Sequence, residues 1–251
     1  MAGSYDAGAV LEVRALGRSY GSLKAVSKVD LSLQRGERRV VFGANGAGKS
    51  TLLNMLAGDT APSCGEIIYL NNCITHLRPA LRARLGIRRT YQRSSIFAGL
   101  TVGENLQVAV SGALPGRFAL TRPSTRVRER AEELALMVRM GDIAARPASE
   151  LSHGQQRQLE LGMALAGDAQ LLLLDEPAAG LSHSERQLLA SLIQALPRDL
   201  TLLFIEHDID LALSLAETAT VMHNGVVIAT GPAATVGSSE EVRQIYLGSA
   251  K

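Results

Sequence analysis

Cysteine is scarce in this chain: Cys64 and Cys73 are the only two in 251 residues. They show neither metal-ligand spacing nor the dense, even pattern of a disulfide framework. A chain of this length buries a sizeable core without staples, so both are expected to be reduced thiols of a cytoplasmic protein. Long apolar runs are missing as well. The runs at 134–138 and 171–174 fall far short of the roughly 20 residues that cross a bilayer. The first sixteen residues carry Asp6 and Glu12 and lack the apolar core of a signal peptide. The chain is therefore expected not to be exported, and to reach any membrane through a partner. An excess of one charge is lacking too. With 26 basic and 24 acidic residues the net charge is +2, which exerts no global pull toward nucleic acid, and no nucleic-acid partner is expected. Arginines gather locally at Arg82, Arg84, Arg88, Arg89 and Arg93, and again at Arg122, Arg126, Arg128 and Arg130. Such runs read as solvated helix faces. The chain also lacks internal repeats, low-complexity tracts and any linker long enough to separate independent domains.

What is present is a change of period along the chain. From 10 to 41 the pattern is strand-like: Leu11, Val13 and Ala15 alternate, then Val29, Leu31 and Leu33, before an Arg35-Gly36-Glu37 turn. This predicts a small antiparallel sheet. Residues 40–42 form a short apolar run that feeds a glycine-rich loop and then a helical stretch, 49–56, as a strand-loop-helix unit does. Continuous apolar runs at 171–174 and 202–205, separated by a helical segment at 184–195, predict buried parallel strands. Between these regions, from about 101 to 165, the spacing is helical, with Val127, Ala131, Leu134 and Val138 on one face. Capping-box patterns mark helix starts at Thr101 to Glu104, Ser182 to Glu185 and Ser238 to Glu241. Asn224-Gly225, between the runs 219–221 and 226–228, predicts a hairpin to which no chemistry is assigned.

The chemistry is carried by two patches. Gly43-Ala44-Asn45-Gly46-Ala47-Gly48-Lys49-Ser50 matches the P-loop pattern in the context that pattern requires, after a strand and opening a helix. The glycines let backbone N–H groups turn inward around phosphate oxygens, and the helix N-terminus favours an anion. Lys49 reaches the β- and γ-phosphates, Ser50 supplies a hydroxyl for Mg²⁺, and Thr51 follows it on the phosphate-binding turn. Four apolar residues then run into Asp175-Glu176, placing two carboxylates at the C-terminal end of a buried strand, where α/β sheets put their ligands. Asp175 is expected to hold the magnesium, directly or through water, and Glu176 to polarise the water that attacks the γ-phosphate.

Leu151-Ser152-His153-Gly154-Gln155 stands just before the Asp-Glu pair. With the P-loop, this makes the chain resemble the ABC ATPases, whose signature motif lies there. The resemblance covers nearly the whole chain, from Leu11 to Gly248. It implies the fold, a P-loop NTPase core with a parallel sheet, an N-terminal antiparallel β subdomain and a helical insert carrying the signature. It implies boundaries too: one domain over 9–251, with a core lobe at 9–92 and 168–236, a helical subdomain at 93–167 and a short C-terminal helix at 237–249. In the family, the signature loop faces the γ-phosphate of ATP held by the other subunit, so Ser152, Gly154 and Gln155 are expected to bind nucleotide across a dimer. Tyr20 resembles the aromatic residue that stacks on adenine. Gln92 resembles the Q-loop glutamine that contacts magnesium and the attacking water, and His207 the switch histidine that contacts the γ-phosphate. Two positions depart from the family pattern: His153 stands where glycine is usual, and Ser182 where aspartate is usual.

Within the family, the wording of 89–106, 175–181 and 246–248 resembles the ATPases of importers for branched-chain amino acids. Leu-Ser-His-Gly-Gln followed by Leu159-Glu160-Leu161-Gly162-Met163 resembles those assigned to urea and short amides. Either resemblance implies ATP and Mg²⁺ as ligands, a head-to-tail dimer with a like or unlike ATPase chain, transmembrane permease subunits, and an extracytoplasmic binding protein acting indirectly. The chain would then sit on the inner face of the cell membrane, with the surface around 92–100, where Ile96, Phe97 and Leu100 sit beside Arg93, at the permease contact; the alternative is that these apolar residues fill the core of the helical insert itself. A soluble ABC ATPase of a cofactor-assembly complex, or an ABC transporter of another type, is the alternative that the same motifs allow.

Overall fold

Along the computed structural model, which describes residues 8–91, 95–113 and 123–238, the chain divides into two units. The first takes in the residues up to Ile87, Gln170–Glu176 and those from Pro197 onward. It begins with β1 (Ala9–Tyr20), β2 (Leu23–Gln34), β3 (Arg38–Phe42), α1 (Lys49–Ala57), β4 (Cys64–Tyr69), β5 (Asn72–Cys73) and α2 (Pro79–Arg84). Four of these strands make an antiparallel sheet in the order β2-β1-β4-β5. The alternation that should carry Ala15 inward breaks at that residue. The β1–β2 register shifts between Val13 and Leu16, Ala15 takes a φ of 44° and is exposed, and Leu16 is buried instead. An extra residue in one strand of a pair moves every later side chain to the opposite face. Strand β4 has no alternation to announce it, because Ile67, Ile68 and Tyr69 are buried in succession.

Strand β3 belongs instead to a second sheet, ordered β10-β9-β3-β8-β7-β6. Its other strands are β6 (Ile87–Arg89), β7 (Leu171–Asp175), β8 (Thr201–Ile205), β9 (Thr218–His223) and β10 (Val226–Pro232). β3 runs parallel to both β8 and β9, β7 runs parallel to β8, and β10 returns antiparallel to β9. All five residues of β7 and of β8 are buried, as continuous apolar runs predict. Helix α1 sets Leu52, Leu53, Met55 and Leu56 into one apolar cluster with Val41, Leu171, Leu173, Leu203 and Ile205. Each such leucine contributes about 1.5–3 kcal/mol by leaving water. The hairpin turns through Asn224 and Gly225, both at positive φ, as the tight two-residue turn requires. It also braces the loop before α1, since the Gly225 N–H donates to the Ala47 carbonyl at 3.0 Å.

Arg82 corrects the reading of its arginine run as a solvated face. Arg82 is 1% exposed, and its guanidinium donates to the carbonyls of Met55 (2.7 Å), Leu56 (2.8 Å), Thr75 (2.9 Å) and Leu77 (3.0 Å). Two of these bonds reach the carbonyls of Met55 and Leu56 in the last turn of α1, where intrahelical donors run out, and the other two tie the helix end to the segment at Thr75 and Leu77. Burial pushes the Arg82 pKa down to about 10, which leaves it charged at neutral pH. In the second run Arg126 and Arg128 are exposed, as expected of a solvated face. Arg93 and Arg122 lie outside the described residues.

The second unit holds Arg88–Ala169 and Pro177–Leu196. It carries α3 (Val102–Ala113), α4 (Thr125–Met137), α5 (His153–Ala164) and α6 (His183–Gln194). Thr101 and Glu104 form the expected reciprocal cap, Thr101 N–H donating to Glu104 Oε2 at 2.8 Å and Glu104 N–H to Thr101 Oγ1 at 3.2 Å. Val127, Ala131, Leu134 and Val138 are all buried. Asn105, fully buried, donates to the carbonyls of Phe97 and Thr101 and accepts the Phe97 N–H, fixing the loop before α3. The first unit closes with α7 (Ile209–Leu215) and α8 (Ala233–Ser238). The cap expected from Ser238 to Glu241, and most of the helix expected over 237–249, lie outside the described residues.

Candidate functional site

Where β3 ends, Gly43 has φ 152° and its Cβ position would overlap the Met222 carbonyl oxygen; Gly48 has φ 100° and its Cβ position would overlap the Ala25 carbonyl oxygen. Both the left-handed backbone and the close approach exclude a side chain there. Between them Asn45 and Gly46 are exposed. The Ala47 N–H donates to the Ala44 carbonyl at 3.1 Å, closing the loop on itself. Gly48 caps α1 without a side-chain hydrogen bond, and no acidic residue lies in the first turn. The helix thus presents its first N–H groups with no carboxylate of its own to satisfy them, an arrangement that favours a bound anion. Ser50 and Thr51, both half-buried, sit on that turn.

Lys49 is 5% exposed, and its Nζ donates to the Gly43 carbonyl at 2.6 Å and the Ala44 carbonyl at 3.0 Å. Burial lowers its pKa, while Glu176 and Asp175 pull it back up, which brings the two carboxylates at the end of β7 within electrostatic reach of the loop. Asp175 is 3% exposed. Glu176 takes a φ of 50°, and its N–H donates to the Ile205 carbonyl at 3.1 Å. For a residue other than glycine such a backbone costs energy, and it clusters at functional sites. The Glu176 Oε1 lies 2.9 Å from His207 Nε2, so the carboxylate and the histidine, 31 residues apart, form one pair. Glu206, 4% exposed, holds the turn that carries the histidine, its Oε1 accepting the His207 N–H at 2.9 Å and the Asp208 N–H at 3.4 Å. Sequence reasoning passed over Glu206, whose only local sign is a carboxylate placed between a buried strand and His207.

Among the described residues, no three or more His, Cys, Asp or Glu side chains gather where they could hold a metal ion. Magnesium is usually held by one or two protein oxygens together with substrate phosphates. The Ser50 hydroxyl and the buried Asp175 carboxylate are hard oxygen donors that fit it. Gln92, the remaining expected metal contact, lies outside the described residues.

The second unit carries the signature residues. Ser152 caps α5, its Oγ accepting the Gln155 N–H at 3.2 Å while Gln155 Oε1 accepts the Ser152 N–H at 3.0 Å. The Gln155 side chain is thus turned back onto its own helix start. Glu185 reaches the same place from α6: its Oε1 accepts the Gly154 N–H at 3.2 Å and the Ser152 hydroxyl at 3.4 Å. Its Oε2 accepts the Ser182 hydroxyl at 2.7 Å and the Ser182 N–H at 2.9 Å. Led by the Ser182 hydroxyl, these donors hold the Glu185 carboxyl below its ordinary pKa. A Cβ at Gly154 would overlap that carboxylate. Sequence reasoning saw Glu185 only as a cap for α6; nothing local ties it to Gly154. His153 is exposed, and its Cε1 lies 3.3 Å from the Cβ position of Gly180. The two departures, at 153 and 182, therefore fall within one small region of this unit.

Tyr20, at the end of β1, is 47% exposed and pairs with Leu23 across the turn to β2. Phe97 is 50% exposed, so it does not fill the core of its own unit.

The family described as "ABC transporter" matches residues 26–179. The high-affinity branched-chain amino acid transport ATP-binding protein LivG of Escherichia coli K12 is 36% identical, over 96% of this chain and 98% of the relative. The corresponding BraF protein of Pseudomonas aeruginosa is 35% identical over the same shares. Among solved structures, the ADP conformation of MJ1267, an ATP-binding cassette of an ABC transporter, superposes with a TM-score of 0.85 and 28% identity, covering 96% of this chain and 99% of that one. The dimeric cassette MJ0796 bound to ADP and Pi, at 23% identity and a TM-score of 0.77, shares the fold.

Proposed function

The chain belongs to the ABC transporter family as an ATP-binding subunit, and from that premise we propose that it hydrolyses ATP through Lys49, Glu176 and His207 to power an importer of branched-chain amino acids. The observation that carries this reading is the Glu176–His207 pair, 2.9 Å apart at the ends of β7 and β8, with Lys49 within electrostatic reach of Asp175 and Glu176. The bound triphosphate takes the N–H groups at the start of α1. Lys49 exchanges the Gly43 and Ala44 carbonyls for β- and γ-phosphate oxygens. Glu176 accepts a hydrogen bond from the attacking water and takes its proton as the oxygen adds to the γ-phosphorus. The bond from that phosphorus to the bridging oxygen breaks, and the electron pair leaves on ADP. His207 holds Glu176 in place and contacts the departing phosphoryl group. Ser50 and Asp175, with Gln92 by the family resemblance, would hold a magnesium ion alongside the phosphates, and the ion would supply neutralisation of the charge that develops on the leaving oxygen.

Transport requires partners. No helix among the described residues is long and apolar enough to cross a membrane, so coupling runs through permease subunits, and the chain sits at the inner face of the membrane by that attachment. The exposed Phe97, on a loop fixed by Asn105, with Ile96 and Leu100 beside it, is the contact we assign to them. A second ATPase chain, like or unlike, brings its Ser152 and Gly154 to the ATP held by the first. Substrate choice belongs to a separate extracytoplasmic binding protein. The names of LivG and BraF favour branched-chain amino acids over urea or short amides, and transport over soluble cofactor assembly.

The test is the Mg²⁺-dependent ATPase rate of the chain against its Glu176→Gln variant, with ATP-driven dimerisation followed on the same samples. A rate at least about 100-fold lower in the variant, together with an accumulating ATP-bound dimer, is expected. A variant that hydrolyses like the parent removes Glu176 from the chemistry.

A further inference from the structure

Tyr20 does not stand alone at the end of β1. The Arg18 guanidinium carbon lies 4.6 Å from the centroid of its ring, and Arg18 Nη1 donates to the Ala61 carbonyl at 2.9 Å. The Arg18 Nε is buried and makes no hydrogen bond, as suits a guanidinium laid against a π face. Their strand pair carries a residue that reaches the phosphate loop. Arg18 is opposite Val26 in the β1–β2 ladder and Tyr20 is opposite Leu23, while Val26 Cγ2 lies 3.3 Å from the Cβ position of Gly48.

Resting on the nucleotide-binding reading of Tyr20 and taking it one step further, we propose that Arg18 is a positioning residue for the nucleobase. It covers one face of the Tyr20 ring and leaves the opposite face for stacking. A tyrosine 47% exposed at a strand end must otherwise give up the freedom of its side-chain rotors when a base arrives. Arg18 removes that freedom beforehand, because its planar head can stack on the ring and hydrogen-bond to Ala61 in a single geometry. A lysine holds its charge as a point and cannot do both. Arg18 therefore acts through the base and not through the phosphates.

The experiment compares ATP with inorganic tripolyphosphate, each with Mg²⁺, by titration calorimetry on the parent, Arg18→Ala, Arg18→Lys, Tyr20→Ala and the Arg18→Ala/Tyr20→Ala double variant. Arg18→Ala is expected to weaken ATP binding about three- to fivefold. KM for ATP rises in step while kcat does not, and tripolyphosphate binding stays as in the parent. Arg18→Lys falls between parent and Arg18→Ala, and removing Arg18 adds nothing once Tyr20 is gone. An equal loss for ATP and tripolyphosphate would overturn the proposal by making Arg18 a phosphate contact. Unchanged ATP affinity, or losses that simply add in the double variant, would overturn it as well. A parent that binds neither ligand would instead defeat the functional reading itself.

Discussion

The two helix starts marked out for phosphate are built in opposite ways. Helix α1 begins at a glycine, with no side-chain cap and no acid in its first turn. Helix α5 begins with a reciprocal Ser152–Gln155 cap and has a carboxylate, Glu185, on the Gly154 N–H as well. Their far ends differ too. The end of α1 is held by Arg82, which donates to the carbonyls of Met55 and Leu56 and, from the same guanidinium, to those of Thr75 and Leu77 further along the chain. Each helix thus draws its stability from a different end. α1 is anchored at its end and leaves its start for a ligand, while α5 is anchored at its start by its own unit. A phosphate approaching the start of α5 would have to displace the Glu185 carboxylate from the Gly154 N–H and the Ser152 hydroxyl.

The sharpest way to break this contrast is to remove the anchor of α1. Arg82→Met leaves buried carbonyls without their donor and is expected to cost about 3 kcal/mol. In a chain of this size that lowers Tm by roughly 6–12 °C. Thermal melts check it, and a loss below about 1 kcal/mol would mean that α1 is held elsewhere. Removing the cap of α5 is the milder counterpart. Ser152→Ala is expected to cost about 1 kcal/mol, or roughly 2–4 °C in Tm, with Ser152→Thr, which keeps the hydroxyl, restoring most of it; an unchanged Tm would leave Glu185 as the sole anchor of that start. The smallest effect lies in pH. Because hydrogen bonds hold the Glu185 carboxyl below its ordinary value of 4.5, its contribution is fully present above that value. It is lost as pH falls through the lowered folded pKa. The Tm difference between the parent and Glu185→Gln should therefore be constant from neutral pH down to about 5 and shrink below it. A difference that ignores pH would show that the charge on Glu185 does not matter to the contact.

Legibility followed distance along the chain. The phosphate loop, the carboxylate pair at the end of β7 and the hairpin at Asn224-Gly225 could be read because each depends on neighbours within about one turn or one strand. The caps of α3 and α6 could be read for the same reason. Ala15 misled because a bulge is a defect of pairing, and pairing belongs to two strands at once. Strand β4 was missed because burial on both faces erases alternation. Arg82 misled because charge runs are usually solvated, and only the return of the chain beneath α1 gave its guanidinium four carbonyls. Gln92 and the helix expected near the C-terminus fall outside the described residues.

By itself, then, the sequence determined the local conformations. Glycines permit a left-handed loop, apolar runs become buried strands, and a hydroxyl followed three residues later by a carboxylate starts a helix. These outcomes depend on short-range sterics and hydrogen bonds that no distant residue needs to supply. Only the tertiary structure decided the partnerships: Glu176 with His207, Arg18 with Tyr20, Arg82 with the end of α1, and Glu185 with Gly154. A long polar side chain has many conformers of similar energy in isolation. Which donor or acceptor it finds is set by where packing of the apolar core brings the backbone back beside it.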